Sequence, residues 1–316
     1  MFKDIVVGVT PSGVDECAVD TALQFAQRFE AKLYMVHVAG MGHTWGDMEH
    51  LQPSGETERI KEQILERYKD KLEGIEDCQV HVVPGMPHAE LLRLARKFNS
   101  DLIIMGPHTE EYAEKRSRMW GMAGSCLERV SQRARCPVMI VTRPTPYGEH
   151  AFDNILVATD FSEQSDCAVN YGGQMVRQYK AQMTLLHVVD EAGMAGQLSE
   201  AEQAERIAQS VERMQQEYAD RLKGIENCRY ECVVGKPAME ILKMARLNQA
   251  DIIIMAHHSK ETDPEQAFLG ATVTQVALNA PCPIMSVNRY FDMRCGLMYE
   301  QDGSVAEQKE TAPAGG

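Results

Sequence analysis

The sequence predicts an α/β fold laid down twice: two repeated doubly wound domains, each a five-stranded parallel sheet with helices on both faces, packed as a pseudo-dimer. Three observations predict it. The 316 residues suffice for two domains of roughly 150 residues, each able to bury its own core. The chain repeats itself at a constant shift. Within each repeat, short apolar runs alternate with polar stretches of helical spacing, the signature of strands joined by crossover helices.

The repeat has a period of 150 residues. Asp4-Ile5-Val6-Val7 returns as Asn154-Ile155-Leu156-Val157, Cys17-Ala18-Val19-Asp20 as Cys167-Ala168-Val169-Asn170, and His37-Val38 as His187-Val188. Leu72 to Cys78 matches Leu222 to Cys228, and Asp101 to Met105 matches Asp251 to Met255. Cys136-Pro137 then corresponds to Cys282-Pro283, a shift of 146, so the first half carries four extra residues between Met105 and Cys136.

In the first half, the apolar run Ile5 to Val9 places a strand near 4–9, and the stretch after it a helix near 14–29. Strands near 32–38 and 78–83 flank a helix near 56–73. A helix near 87–99 leads to the run Leu102 to Met105, a strand near 101–106. A last helix near 122–134 precedes a strand near 137–142. The second half follows by the shift, with its long helix near 199–222. Right-handed crossovers would cover both sheet faces, which accounts for the continuous Val/Ile runs. Pro144-Thr145-Pro146-Tyr147-Gly148 continues neither helix nor central strand and marks the linker. The expected divisions are 1–147, 148–290 and a C-terminal extension 291–316 with a disordered polar tail.

Composition narrows the function classes. Apolar residues make up 44% and charged residues 25%, an ordinary globular balance. With 32 basic and 46 acidic residues the net charge is −14, which disfavours general binding of nucleic acid. Apolar runs fall short of a membrane span, and Met1-Phe2-Lys3-Asp4 lacks a signal peptide's apolar stretch, so a cytoplasmic protein without a membrane partner is expected. Nine cysteines without a C-x-x-C pair favour neither a disulfide framework nor a zinc ribbon. Cys17, Cys78 and Cys136 recur as Cys167, Cys228 and Cys282 and read as packing positions. Cys126, just inside a helix N-terminus, is a candidate redox thiol.

Ligands of open doubly wound sheets bind beyond the carboxyl ends of the strands at the switch point, here between the first and fourth strands. After the fourth strand comes Met105-Gly106-Pro107-His108-Thr109, and Gly124-Ser125 later opens a helix. Small residues at a helix N-terminus admit an anion to backbone N–H groups, and a hydroxyl adds a hydrogen bond, so phosphate cradling and plain turn chemistry both fit.

Taken with Val157-Ala158-Thr159-Asp160-Phe161-Ser162, the Asp101 to Gly106 strand and the Cys-Pro-Val before the last strand, each half resembles the universal stress protein family, over essentially all of 1–288. The resemblance implies an adenine nucleotide alpha hydrolase-like fold, a role in stress responses and, in nucleotide-binding members, a loop of Gly, two residues, Gly, nine residues, then Gly-Ser or Gly-Thr. It further implies an Asp at the end of the first strand and backbone after the second strand for the adenosine part, and halves that pack as the family's dimers do. The first half keeps Gly106, Gly124 and Ser125, places Thr109 at the second glycine with fourteen intervening residues, and has Thr10 instead of the Asp beside Val38. The second half keeps Asp160 and Val188 but has Ala256 and Ser259 at the first two glycines, ten intervening residues and Gly270-Ala271, with Thr272 a substitute for the missing hydroxyl.

Other candidates are weaker. Lys115, Arg116, Arg118 and Trp120 in the insertion suit phosphate contacts and base stacking, or a solvated loop. Ser12-Gly13-Val14-Asp15 faintly resembles the pyrophosphate loop of ATP pyrophosphatases, without its second glycine and final serine. His43, Asp47, Glu49 and His50 suit a metal, but the second half has no copy of them; His257 and His258 diverge on an extended segment. His37 and His187 read as structural residues at strand ends.

The expected function is therefore a stress-related regulatory binding protein with at most one adenine-nucleotide (ATP or AMP) site. No catalytic residues are assigned and no metal is required, magnesium entering only with bound nucleotide; slow ATP hydrolysis is the most turnover expected. The alternatives are a nucleotide-independent scaffold for an unknown protein partner and, behind it, an adenylating or ATP-hydrolysing enzyme. If the last strands of the two halves pair, each covers the other's edge, giving an internal pseudo-dimer, alone or as a homodimer.

Overall fold

The computed structural model describes residues 1–12, 16–39, 55–106, 125–145, 147, 151–190, 199–256 and 271–288. The first half runs β1 (Asp4–Gly8), α1 (Glu16–Phe29), β2 (Lys32–Ala39), α2 (Glu56–Leu72), β3 (Cys78–Pro84), α3 (Pro87–Lys97), β4 (Leu102–Met105), α4 (Ser125–Arg133) and β5 (Val138–Ile140). The second repeats it: β6 (Asn154–Thr159), α5 (Glu163–Tyr179), β7 (Gln182–Asp190), α6 (Glu200–Glu217), β8 (Cys228–Gly235), α7 (Pro237–Leu247), β9 (Ile252–Ala256), α8 (Ala271–Asn279) and β10 (Ile284–Val287).

All ten strands form one sheet, in the order β3-β2-β1-β4-β5-β10-β9-β6-β7-β8. Each half is parallel throughout, as expected of strands joined by crossover helices. The halves meet where β5 and β10 pair antiparallel, Ile140 opposite Ile284 and Met139 opposite Met285. Neither strand is left as an open edge.

Both sheet faces are buried, which explains the unbroken apolar runs. Ile5 and Val7 of β1 enter one core with Phe25 of α1, Tyr68 of α2 and, from the second half, Met175 of α5 and Met214 of α6. Val6, between them, enters the opposite core with Leu91 of α3, Val130 of α4, Ile241 of α7 and Val276 of α8. The side-chain period of two thus divides each strand between two apolar layers.

Aromatic rings seal the first core across the linker. The Phe25 ring lies 5.0 Å from that of Tyr147 and 5.8 Å from that of Phe152, and the Phe29 and Tyr179 centroids are 6.0 Å apart. On the other side of the seam, buried Asn288, just past β10, donates from Nδ2 to the carbonyls of Ser131 (2.6 Å) and Ala134 (3.1 Å) at the end of α4.

Each strand pair is also pinned at its amino end. Asp101 Oδ2 accepts the N–H groups of Lys3 (2.7 Å) and Asp4 (3.3 Å), and Asp251 Oδ2 accepts those of Asp153 and Asn154, both at 2.8 Å. These aspartates tie β4 to β1 and β9 to β6, a role the sequence repeat did not reveal.

The expected helix over 199–222 is shorter. Ser199 and Glu202 form a reciprocal capping box at the start of α6, but the helix stops at Glu217 and residues 218–224 make turns. The turns that follow are tied to α5: Arg221 Nη2 reaches Asp166 at 2.6 Å, and Arg177 donates to the carbonyls of Arg221 and Lys223. Among the described residues no helix is long and apolar enough to cross a membrane.

Candidate functional site

The switch point is where topology predicted it. β1 lies between β2 and β4, and β6 between β7 and β9, so each half opens a crevice at the carboxyl ends of these strands.

In the first half, Val9 donates its N–H to the Val36 carbonyl at 2.9 Å, carrying the β1–β2 pairing to the crevice mouth. Half-buried Thr10 follows, its hydroxyl 3.2 Å from that of Ser12. Val38 is half-buried near the end of β2, Gly106 is buried directly after β4, and Ser125 opens α4. Thr109 and Gly124 lie outside the described residues, so the described part of this crevice brings together Thr10, Val38 and Gly106 on neighbouring strand ends.

The second crevice is more elaborate. Asp160 stands exposed immediately after β6, and its Oδ1 accepts from the Ser162 N–H (3.1 Å) and hydroxyl (2.5 Å). Ser162 Oγ in turn accepts from the Ser165 N–H at 3.2 Å, capping α5. Asp160 thus belongs to a turn fixed by the first turn of a helix. Half-buried Val188 lies one residue beyond the Thr159–His187 register pair, on the adjacent strand. Val157 pairs with Ile254, which brings half-buried Ala256, the last residue of β9, alongside the end of β6. Ala271 opens α8, with Thr272 in its first turn; Ser259 and Gly270 lie outside the described residues.

Beneath Asp160 lies a buried hydroxyl network. Thr159 Oγ1 is 2.6 Å from the Tyr218 hydroxyl and 3.0 Å from Ser165 Oγ, and it accepts the Phe161 N–H at 3.1 Å. Phe161 has a left-handed φ of 61°. Its ring centroid is 4.5 Å from that of His187, and the Arg213 guanidinium lies 3.9 Å above it.

His187 Nδ1 sits 2.9 Å from the Thr159 carbonyl, as His37 Nδ1 does from that of Val9. A carbonyl only accepts, so each Nδ1 carries the proton. Burial holds the His187 pKa below its ordinary value, although the Thr159 carbonyl and Asp160 pull it up; nearby Arg213 pushes it down. Each histidine thus links its strand to the carbonyl at the end of the neighbouring one, in the same way in both halves. Burial likewise pushes the Tyr218 hydroxyl up, against the opposing pull of its Thr159 partner.

Chemically, the second crevice offers a turn-fixed carboxylate, peptide groups at two strand ends and an apolar side chain, suited to polar edges of a planar ligand. Phe161, Tyr218 and Arg213 were missed as site-building residues; the recurrence of Tyr68 as Tyr218 at the 150-residue shift was a readable signal. Among the described residues no group of three or more His, Cys, Asp or Glu side chains is placed to hold a metal. The candidates at 13–15, 43–50, 115–120 and 257–258 lie outside the described residues.

Among the described residues Cys126, Cys136, Cys232 and Cys282 are buried, and Cys17, Cys78, Cys167 and Cys228 are half-buried. Burial nonetheless lifts Cys78 and Cys228 to about 11 and Cys282 to about 12, keeping them as thiols near neutrality.

Comparison with known proteins agrees with this architecture. The model described as Universal stress protein family matches residues 1–142 and again 151–288. Universal stress protein MJ0531 of Methanocaldococcus jannaschii is 28% identical over 152 residues, covering 46% of this chain and 84% of that protein. MJ0577 of the same organism is 28% identical over 156 residues, covering 44% and 96%. Among solved structures, a universal stress protein from Archaeoglobus fulgidus superposes with a TM-score of 0.63 at 19% identity, covering 90% of this chain and 96% of that one. The protein PA1789 of Pseudomonas aeruginosa gives 0.56 at 14% identity over 90% and 92%. At these identities the structures speak for the fold alone, whereas the two family matches span most of the sequence: the chain belongs to the universal stress protein family and carries the family's domain twice.

Proposed function

We propose that this protein is a stress-related regulatory binding module that takes an adenine nucleotide, ATP or AMP, in one of its two crevices, the second. The observation that carries the reading is Asp160, held at the carboxyl end of β6 by the Ser162 N–H and hydroxyl. A carboxylate so fixed accepts hydrogen bonds from the base or ribose without first being ordered. In the first half Thr10 stands in its place, and a neutral hydroxyl paired with Ser12 is a weaker acceptor. Val188 supports the same end of the ligand, while Ala256, Ser259, Gly270 and Ala271 form the phosphate side of this reading. Ala256 retains the backbone N–H that a phosphate oxygen would use.

The role is binding rather than turnover, with magnesium arriving only as the companion of a nucleotide. The first crevice, with Thr10, Val38, Gly106, Thr109, Gly124 and Ser125, keeps phosphate features but lacks the carboxylate.

The test is mass spectrometry of any co-purifying small molecule, then calorimetric titration of ATP, ADP and AMP into the stripped chain. The expected result is about one nucleotide per chain. A hydrogen bond to a charged group is worth about 1.5–3 kcal/mol, so Asp160→Ala should weaken binding roughly ten- to a hundredfold while Gly124→Val leaves it unchanged. The reverse pattern would move the site to the first half. No heat at millimolar nucleotide would sink the nucleotide reading and leave a nucleotide-independent scaffold.

A further inference from the structure

The turn that presents Asp160 contains a conformation its sequence does not favour. Phe161 has φ 61°, where the Cβ of an L-residue crowds the backbone, and a bulky ring gains nothing there from local hydrogen bonding. Something outside the turn must hold it, and the structure shows what does. The Phe161 ring has the His187 imidazole 4.5 Å away, tilted by 47°, and the Arg213 guanidinium over it, 3.9 Å from its centroid. Arg213 reaches over from α6 and is steadied by Glu217 one turn on, at 2.9 Å from Nε. Below, the Tyr218 ring lies parallel to Phe161 at 6.3 Å, and its hydroxyl bonds the same Thr159 Oγ1 that accepts the Phe161 N–H. The residues on both sides of Asp160 are thereby fixed from α6 and the chain just after it.

The described part of the first half keeps the histidine and the tyrosine, as His37 and Tyr68, but not the phenylalanine ring, the cation over it or the threonine hydroxyl. Val9 stands for Thr159, Pro11 for Phe161 and Gln63 for Arg213, and the cation that α2 sends to the turn, Arg67, bonds the Pro11 carbonyl instead of a ring.

We propose that Arg213, Phe161 and Tyr218 are positioning residues for the second crevice, a clamp from α6 that sets the 159–162 turn and so holds Asp160 in place for the adenosine end of a nucleotide. The assignment rests on the reading of that crevice as the nucleotide site. Affinity gained this way comes from ordering completed before the ligand arrives, not from a new contact to it.

The experiment compares the full-length wild-type chain with Arg213→Gln and Arg213→Lys. Three quantities are read: the AMP dissociation constant by calorimetry, the thermal midpoint, and amide hydrogen exchange of peptides spanning 159–165. Exposed cation–π contacts correspond to about two- to fivefold in an equilibrium constant, so Arg213→Gln should weaken AMP binding and speed exchange in 159–165 by about that factor. Arg213→Lys, which keeps a cation for the ring, should recover most of both. A purely structural arginine would lower the midpoint while leaving the dissociation constant, measured well below that midpoint, untouched, and that result would overturn the proposal. So would unchanged exchange in Arg213→Gln. Wild-type protein that takes no AMP would overturn the nucleotide reading and this role with it; its exchange data would still report whether Arg213 holds the turn.

Discussion

Replacing Asn288 tests how the two halves are held as one sheet. Its side chain is 4% exposed and donates across the seam to Ser131 O at 2.6 Å and Ala134 O at 3.1 Å. Both carbonyls lie at the C-terminal end of α4, where the helix supplies no partners of its own. Asn288→Leu keeps the branched shape of the side chain, though not its smaller volume, and removes both N–H donors. An unsatisfied buried acceptor costs about 1–3 kcal/mol, and partial relaxation brings the pair to about 2–4 kcal/mol, a sizeable part of the roughly 5–15 kcal/mol of an ordinary domain. The ladder beside it pairs three residues of β5 with three of β10, so the seam has little hydrogen bonding to spare. Urea unfolding followed by circular dichroism should show the midpoint falling, and the single transition broadening or dividing as the halves uncouple. Asn288→Asp should be worse, because it sets a carboxylate against two carbonyl oxygens. A loss below about 0.5 kcal/mol with an unchanged slope would refute the idea that this residue clasps the halves.

Three further outcomes are expected. A Cβ on Gly172 would lie 2.5 Å from Val157 Cγ2, so Gly172→Ala must push α5 off β6 and should cost about 1–3 kcal/mol. At neighbouring Gly173 it would meet Leu222 Cδ2 at 3.2 Å, the end of a flexible side chain, and the helix-propensity gain of about 0.8–1 kcal/mol should make Gly173→Ala neutral or stabilising by the same urea assay. Asp101 titrates at about 6, raised chiefly by burial against the pull of the Lys3 and Asp4 N–H groups. The unfolded chain releases this proton first, so the folded state holds more protons between the unfolded value of 3.8 and about 6. Stability from this group is present below that window and is lost as pH rises through it, with a slope of at most about 1.4 kcal/mol per pH unit. Asp101→Asn should flatten that slope in urea melts between pH 4 and 6, and an unaltered profile would show that another group sets it.

The sheet was legible because burial on both faces leaves a compositional mark. Ile5 to Val9 and Leu102 to Met105 are continuous apolar runs between polar stretches, and the 150-residue repeat carried the reading to the second half. The antiparallel join of β5 to β10 was legible too, since two short apolar strands would otherwise each end a sheet. What escaped was set by partners distant in sequence. The turns after α6 are tied to Arg177 and Asp166 in α5, and the roles of Asp101 and Asp251 depend on backbone N–H groups nearly a hundred residues away. For the candidate site, Val157-Ala158-Thr159-Asp160-Phe161-Ser162 pointed to Asp160 by resemblance, whereas the role proposed for Phe161 rests on Arg213, fifty-two residues on, and a ring beside an aspartate carries no local mark of its own.

Joining the halves in one chain has a physical consequence for the crevices. A two-fold homodimer must carry the same residues at both sites, so any change that sharpens one alters the other. Here the shared framework is the same in both halves: His37 and His187 each donate to the carbonyl ending the neighbouring strand pairing, Asp101 and Asp251 each hold two backbone N–H groups, and Tyr68 and Tyr218 are both buried against the sheet. Among the many differences between the halves are those at the crevice mouth, where Thr159, Asp160, Phe161 and Arg213 take the places of Val9, Thr10, Pro11 and Gln63. The asymmetry extends to the paired tyrosines: the Tyr218 hydroxyl meets Thr159, whereas Val9, in the corresponding place, offers Tyr68 no hydroxyl. If the proposed reading of the second crevice holds, joining the halves in one chain lets Asp160 and its turn be held for a polar ligand while the first crevice is free of that constraint.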